Sequence, residues 1–383
     1  MKILLSGGWG YGNLGDDALM RASISLIQKK FPDCTITLLT SDIDEAKRII
    51  PNHTNIEFTH GMHHLMYGFD LPHFFPRESE SFLGKLFNVQ KIKIKIARRR
   101  IFKKGEKEAV RFGKRDLSSF PEYREKFDYF RNLCKNHDLY IMSGGGYLNR
   151  WHHMMISKYV ETMIASNSGL PLYIIGQTLG PFTKATRCLA EKIVKLSNVA
   201  LFRDDTSIRE FPQYANVCQK SIPDLALVEE HSFAKKNRIV VIPFTGMMKK
   251  NKKRFIEELS KISADEIVFS VSQLWAGAIS EACYLYWFAK SMGLNAVLRY
   301  SKDVNDLQTI VGEASLVVSE NLHGLILAYR AHTDIVCMNN KRKFLTFMDM
   351  IGFSDRIVLA EKMTTDVFLN FMKCRMSFEM HQH

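Results

Sequence analysis

Short β-branched runs alternate with helical stretches along most of this chain, and that alternation restricts its folds more than any other feature. In the first half KILLSG (2–7), TITLLTS (35–41), LYIMSGG (139–145), LYIIGQ (172–177) and VALFRD (199–204) read as strands. In the second half IVVIPF (239–244), EIVFSVS (266–272), AVLRY (296–300), SLVVSE (315–320) and DIVCMN (334–339) read the same way. Helical patterns separate them, as in DDALMRASISLIQKKF, where Ala18, Leu19, Ala22, Leu26 and Ile27 share a face. AGAISEACYLYWFAKSM (276–292) is the clearest helix of the second half. Strand–helix alternation in both halves predicts two doubly wound, mostly parallel sheets, whose ligands bind beyond the carboxyl ends of the strands. The polar, aperiodic EEHSFAKKNR (229–238) reads as a linker, dividing the chain into domains 1–228 and 229–383, with a cleft between them as the default site. Residues 60–135 break the alternation and read as an irregular, partly helical insertion.

At 383 residues the chain is long for one core and comfortable for two. Seven scattered cysteines without a C-x-x-C pair argue against a disulfide framework or a cysteine-based zinc site. No run approaches the ~20 apolar residues of a spanning helix. The opening MKILLSGGWGYGN has too short an apolar run for a signal peptide, so a cytoplasmic location is expected. The net charge of +13 is concentrated: residues 85–115 hold 13 Lys/Arg against two Glu. Ile92, Ile94, Ile96, Ile101, Phe102 and Val110 interleave with those cations. This segment is either a solvated insertion or a patch that rests on an anionic membrane surface or on polyphosphate. No nucleic-acid motif accompanies the charge, so no nucleic-acid partner is expected.

Six strand ends carry candidate chemistry. The first runs into SGGWGYGNLGDDAL, where Gly7, Gly8, Gly10, Gly12 and Gly15 allow close backbone approach and a helix is expected to start at Asp16 or Asp17. The spacing is neither G-x-G-x-x-G nor a P-loop. It reads as a tight turn capped by Asp16, or as a site for sugar hydroxyls, since the paired acids would repel phosphate. Gly144–Gly146 and Gly176-Gln177 end two further strands. Arg203 ends the next and is either an ion pair with Asp204 or Asp205 or a bidentate anion ligand, with Ser207 a candidate cap for the following helix. In the second half His323 stands at a strand-to-helix junction, with Lys341, Arg342 and Lys343 expected at the adjacent strand end. A lone histidine is commonly structural, but beside a basic cluster it makes an anion pocket with a titratable group.

Together these blocks resemble the polysaccharide pyruvyl transferase family. GYGNLGDDAL, GGG, GQTLGPF, FRDDTS, PDLAL and LHG…NNKRKF occur in the family's order, spanning residues 7 to about 352. The resemblance implies two Rossmann-like domains in a glycosyltransferase-B-like arrangement. It implies transfer of a pyruvyl group from phosphoenolpyruvate onto two sugar hydroxyls as a cyclic ketal, on a cell-surface polysaccharide or its lipid-linked precursor. Arg203, His323 and Lys343 then surround the donor. His323 is expected to deliver a proton or bind phosphate, and Asp16 or Asp17 to orient or deprotonate the acceptor hydroxyl. Gly12, Asn13, Gly145, Gly146, Gln177, Asn321 and Arg342 complete the expected binding set. Asn321 departs from the family's usual arginine, leaving Lys341, Arg342 or Arg299 to substitute. No cofactor or metal is expected, because His60, His63, His64, His152 and His153 lack zinc spacing and read as surface or acceptor-cleft residues. The alternative is a nucleotide-sugar glycosyltransferase of the same architecture, with Glu320 on the ribose. A non-catalytic, polyanion-binding protein is the reading from a different class.

Overall fold

The computed structural model describes residues 1–10, 12–50, 55–68, 103–227, 232–244, 248, 251–274 and 276–358. The chain forms two compact units, Met1–Tyr11 with Leu19–Leu225, and Gly12–Ala18 with Ala226–His383. The exchange of Gly12–Ala18 into the second unit has no counterpart in the sequence pattern.

The first unit holds a parallel sheet of β1 (Lys2–Ser6), β2 (Thr35–Thr40), β3 (Ile56–His60), β4 (Leu139–Leu148), β5 (Leu172–Leu179), β6 (Val199–Phe202) and β7 (Cys218–Ser221). Their order, β3-β2-β1-β4-β5-β6-β7, reverses direction between β1 and β4, so the topological switch point lies beyond Ser6 and Met142, which are register partners. The helices are α1 (Leu14–Lys30), α2 (Ile43–Ile49), α3 (Met62–Tyr67), α4 (Arg124–Lys135), α5 (His152–Asn167), α6 (Lys184–Leu196) and the single turn α7 (Asp205–Ile208). α6 starts at a capping box between Thr183 and Thr186 and buries Ala185, Leu189, Ala190, Ile193 and Val194, a 3.6-period stripe facing the core.

An ion pair on α5 lies inside this core. Glu161 Oε2 accepts from Ser6 Oγ at 2.5 Å, Tyr140 Oη at 2.8 Å and Lys158 Nζ at 3.1 Å, while Oε1 accepts from the Met62 amide at 3.0 Å. A buried carboxylate is tolerable only when so many donors replace its water. The network ties β1, β4, α3 and α5 together at the switch point.

Within the segment 60–135, residues 103–114 are helical and bury Ala109 and Phe112, whose ring stacks on Phe120 at 3.9 Å. Residues 85–102, which carry most of the basic run, lie outside the described residues. The five histidines singled out in the sequence are not a surface set. His63 and His152 are buried, and His60 and His64 stack with ring centroids 3.7 Å apart. Among the described residues no group of His, Cys, Asp and Glu could hold a metal ion.

The second unit holds a parallel sheet of β8 (Arg238–Ile242), β9 (Glu266–Phe269), β10 (Ala296–Leu298), β11 (Leu316–Ser319) and β12 (Asp334–Cys337) in the order β10-β9-β8-β11-β12. Its helices are α8 (Lys252–Ser260), α9 (Ala276–Ser291), α10 (Val304–Gly312), α11 (Leu322–Arg330) and α12 (Arg342–Met350). The direction reverses between β8 and β11, which puts Ser319, Glu320 and Asn321 at this sheet's switch point. β8 and β11 are buried throughout apart from Arg238, as strands covered on both faces must be. Both units are Rossmann-like α/β domains. Among the described residues, no helix is long and apolar enough to cross a membrane.

Candidate active site

In the first unit, Gly145, Gln177 and Phe202 are register partners across β4, β5 and β6, so the loop after each strand opens at one sheet edge. Arg203 follows Phe202 directly. Its Nε donates to Thr178 Oγ1 at 2.6 Å and its Nη1 to the Asp224 carboxylate, and its side chain is nearly buried. The ion-pair partner is therefore Asp224, not Asp204 or Asp205 as the sequence suggested. Asp204 instead caps α7, accepting from the Ser207 amide at 2.8 Å, so the expected cap and capped residue exchange roles. Nη2 of Arg203 faces Gly146, where a β-carbon would lie 3.4 Å away.

The other glycines of that edge have packing roles. Gly144 and Gly176 leave space for Leu225, which would meet a β-carbon at 3.4 Å and 2.9 Å respectively. Gly7 lies under the Trp9 ring and Gly8 under Tyr147. Gly146 of the triple glycine thus adjoins an expected donor ligand. Gln177 is fully buried and donates through Nε2 to Ser143 O at 2.5 Å. Its Oε1 is buried and accepts no hydrogen bond among the described residues. Trp151, 63% exposed, follows β4, its amide held by Asn149 Oδ1 at 2.8 Å.

In the second unit, the glycine-rich segment 12–18 and His323 come together. Gly12 to Leu14 pairs antiparallel with the segment after β9: Leu14 N donates to Ser272 O at 3.0 Å and Leu274 N to Gly12 O at 2.7 Å. α1 starts at Leu14, two residues before the expected start. Asn13, rather than Asp16, closes its first turn, accepting the Asp16 and Asp17 amides on its carbonyl and the Gly15 amide at 3.3 Å on Oδ1. Asn13 Nδ2 also donates to Asp16 Oδ2 at 2.5 Å. A β-carbon at Gly15 would fall 1.8 Å from Nδ1 and 1.9 Å from Cγ of His323, so the imidazole rests directly on the glycine backbone. His323 is 8% exposed and stands in the first turn of α11. The first turns of α1 and α11 thus meet at this ring, and the amide dipoles of both favour negative charge beside it.

Asn321 caps α11, its Oδ1 accepting from the Gly324 amide at 3.1 Å, while its own amide donates to Ser319 Oγ at 2.9 Å. Asn339 Nδ2 donates to Glu320 O at 3.1 Å and its Oδ1 accepts from the Lys341 amide, stitching the end of β12 to that of β11. Lys341, Arg342 and Lys343 follow on this sheet edge and are exposed; Lys343 Nζ lies 5.3 Å from the Phe344 ring centroid. Arg299 is not a substitute for the missing arginine. It follows the edge strand β10, with β9 and β8 between it and β11, and pairs with Asp306 at 3.0 Å. Glu320 is also unsuited to a ribose, because its two oxygens accept from the Phe244 and Met248 amides at 2.8 and 2.7 Å.

Sequence reasoning missed Asp224 as the partner of Arg203, although PDLAL contains it. An acid 21 positions away gives no local signal. It also missed Asn13 as the turn-closing residue, where an Asx side chain just before the helical pattern was the available signal.

Comparison with solved structures finds the UDP-GlcNAc 2-epimerase of Neisseria meningitidis bound to UDP-GlcNAc, at a TM-score of 0.55 and 9% identity, covering 100% of this chain and 92% of that one. The Methanocaldococcus jannaschii UDP-GlcNAc 2-epimerase matches at 0.54 and 10% identity, covering 97% and 92%. Anabaena Alr3699/HepE in complex with UDP and glucose matches at 0.51 and 12% identity, covering 98% and 94%. At these identities the likeness is one of fold, a glycosyltransferase-B-like pair of Rossmann-like domains. Comparison with curated proteins returns no match. The polysaccharide pyruvyl transferase family profile, however, matches residues 13–342. That span takes in Asn13, Arg203, Asn321, His323 and Arg342, and the chain belongs to the polysaccharide pyruvyl transferase family.

Proposed function

We propose that the protein transfers the pyruvyl group of phosphoenolpyruvate onto two hydroxyls of a saccharide, forming a cyclic ketal on a cell-surface polysaccharide or its lipid-linked precursor. Family membership, with Arg203 held by Asp224 and Thr178 while Nη2 faces Gly146, is the observation that carries this reading. A guanidinium fixed on two sides presents its remaining donors in one direction, which suits a carboxylate or phosphate oxygen.

In this reading Arg203 and Lys343 bind the anionic ends of the donor, with Arg342 adding charge beside Lys343. One sugar hydroxyl oxygen bonds to C2 of the donor while C3 receives a proton and becomes a methyl group. The hydroxyl's own proton passes to a base, for which Asp16 or Asp17 is the candidate. The second hydroxyl then bonds to C2 as the C2–O bond to phosphate breaks, and its proton leaves on the departing phosphate. His323 serves as proton donor to C3 or as phosphate ligand, and its seat at two helix N-termini favours the anionic phosphate beside it. Gly12, Asn13, Gly145, Gly146, Gln177 and Asn321 complete the binding surfaces. Trp151 offers an exposed ring for a sugar face.

The alternative, nucleotide-sugar glycosyl transfer, has the support of the fold but loses Glu320 as a ribose ligand. A thermal-shift comparison tests the choice: phosphoenolpyruvate should stabilise the protein and UDP should not. Stabilisation by UDP alone would favour glycosyl transfer.

A further inference from the structure

α9 is a surface helix with an uncharged outer face. Ala278, Ala282, Leu285 and Ala289 are buried and form its core stripe. Ser280, Tyr284, Trp287 and Ser291 recur at three- and four-residue spacing along another stripe, and within the helix only Glu281 and Lys290 are ionisable acids or bases of the Asp, Glu, Lys and Arg kind. An outward helix face ordinarily carries charge. Here Trp287 is 58% exposed, and the segment that follows adds Met292 at 39%, Val297 at 36% and Tyr300 at 40%. Cys283, one turn before Trp287, has its Sγ 2.8 Å from Tyr300 Oη, joining the helix face to the end of β10. The Tyr286 and Trp287 rings meet edge-on at 5.1 Å.

Cations border this face. Lys290 and Lys302 are exposed, and Lys252 Nζ lies 4.5 Å from the Tyr284 ring and 5.2 Å from Phe288. Of the nearby acids, Asp306 is engaged by Arg299 and by the Lys302 amide, Asp303 caps α10, and Glu281 lies on the helix itself. Indole and phenol rings flanked by lysines are the composition of a membrane–water interface, where the rings sit among headgroups and the ammonium groups reach phosphate.

We propose that this face of the second unit, centred on Trp287 with Tyr284, Met292, Val297 and Tyr300 and bordered by Lys290 and Lys302, rests on an anionic lipid surface. A second copy of the chain is the weaker occupant. A specific interface uses roughly 20–30 residues a side, far more than this cluster supplies. The edge strand β10 is also only three residues long, too short to template sheet pairing. The proposal is independent of the reaction the protein catalyses.

Co-sedimentation of the full chain with phosphatidylcholine vesicles, with and without phosphatidylglycerol, tests it. Wild type should partition onto the anionic vesicles at low salt. Trp287→Ser should weaken partitioning about tenfold, the effect of losing one large buried apolar side chain, while Trp287→Phe retains it. Lys290→Gln with Lys302→Gln should reduce the preference for phosphatidylglycerol. Because Trp287 is exposed, unchanged melting of Trp287→Ser controls for folding, and Trp287→Phe provides a second control. Wild type that ignores both vesicle types would overturn the proposal. So would Trp287→Ser partitioning like wild type, which would assign lipid binding to residues 85–102. A dimer in light scattering that Trp287→Ser dissociates would replace the lipid surface with a second copy.

Discussion

The imidazole of His323 lies so close to Gly15 that a β-carbon on the glycine would fall 1.8 Å from Nδ1. No ordinary contact has that distance, so any side chain at position 15 must displace the histidine or the first turn of α1. Gly15→Ala should therefore cost about 1–3 kcal/mol of stability, the usual range for overpacking. The cost should shrink in a His323→Gly background, which removes all three close atoms. Melting of the two singles and the double variant checks this through their coupling energy.

Arg203 and Asp224 form a nearly buried ion pair, so the acid should matter even if it never touches a substrate. Asp224→Ala leaves a guanidinium without its counter-charge and should destabilise the protein by about 3–5 kcal/mol. Arg203→Ala should in addition weaken donor use by about 10- to 150-fold, the worth of one charge-assisted contact. Urea denaturation and donor titration of both variants distinguish folding from binding; near-normal kinetics in Arg203→Ala would remove it from the site.

Asn321, where the resemblance implies an arginine, caps α11 through its side-chain oxygen. An arginine there removes the cap: Asn321→Arg should lose about 0.5–2 kcal/mol, while Asn321→Ser, which can still cap, should lose much less. Thermal melts of the two variants make the comparison.

The strands that carry the site were legible because each is a continuous apolar run, as buried parallel strands require. β3 and β7 were not. They are the edge strands of the first sheet, and CQKS and IEFTH lack such a run. His323, Arg203 and Asn321 could be placed at strand ends and helix starts because these are local signals. Asp224, the antiparallel pairing of Gly12–Leu14 with Ser272–Leu274, and the seat of His323 on Gly15 are long-range. No short window of sequence encodes them.

His63 gives a pH dependence that does not involve catalysis. Burial, reinforced by Lys158 and then by His153 and His64, lowers its pKa from 6.5 to about 3. The folded protein thus binds this proton less readily than the unfolded chain. The stabilisation is complete above pH 6.5 and is lost as pH falls from 6.5 toward 3. Between pH 6.5 and 5, wild type should lose up to about 2 kcal/mol more than His63→Gln, in which nothing titrates at this position. Urea midpoints at the two pH values measure the difference, and equal losses would mean His63 is not buried as described.

On the proposed function, this chain uses phosphoenolpyruvate to build a ketal on a saccharide. Incubation with phosphoenolpyruvate and lipid-linked saccharides from the host, followed by phosphate release and mass spectrometry, tests it most directly. Phosphate release that needs both substrates, a saccharide product heavier by one ketal-linked pyruvyl group, and a matching fall of both signals in Arg203→Ala are the expected results. A product formed from a UDP-sugar instead, or no phosphate release with any saccharide of the extract, would contradict the account.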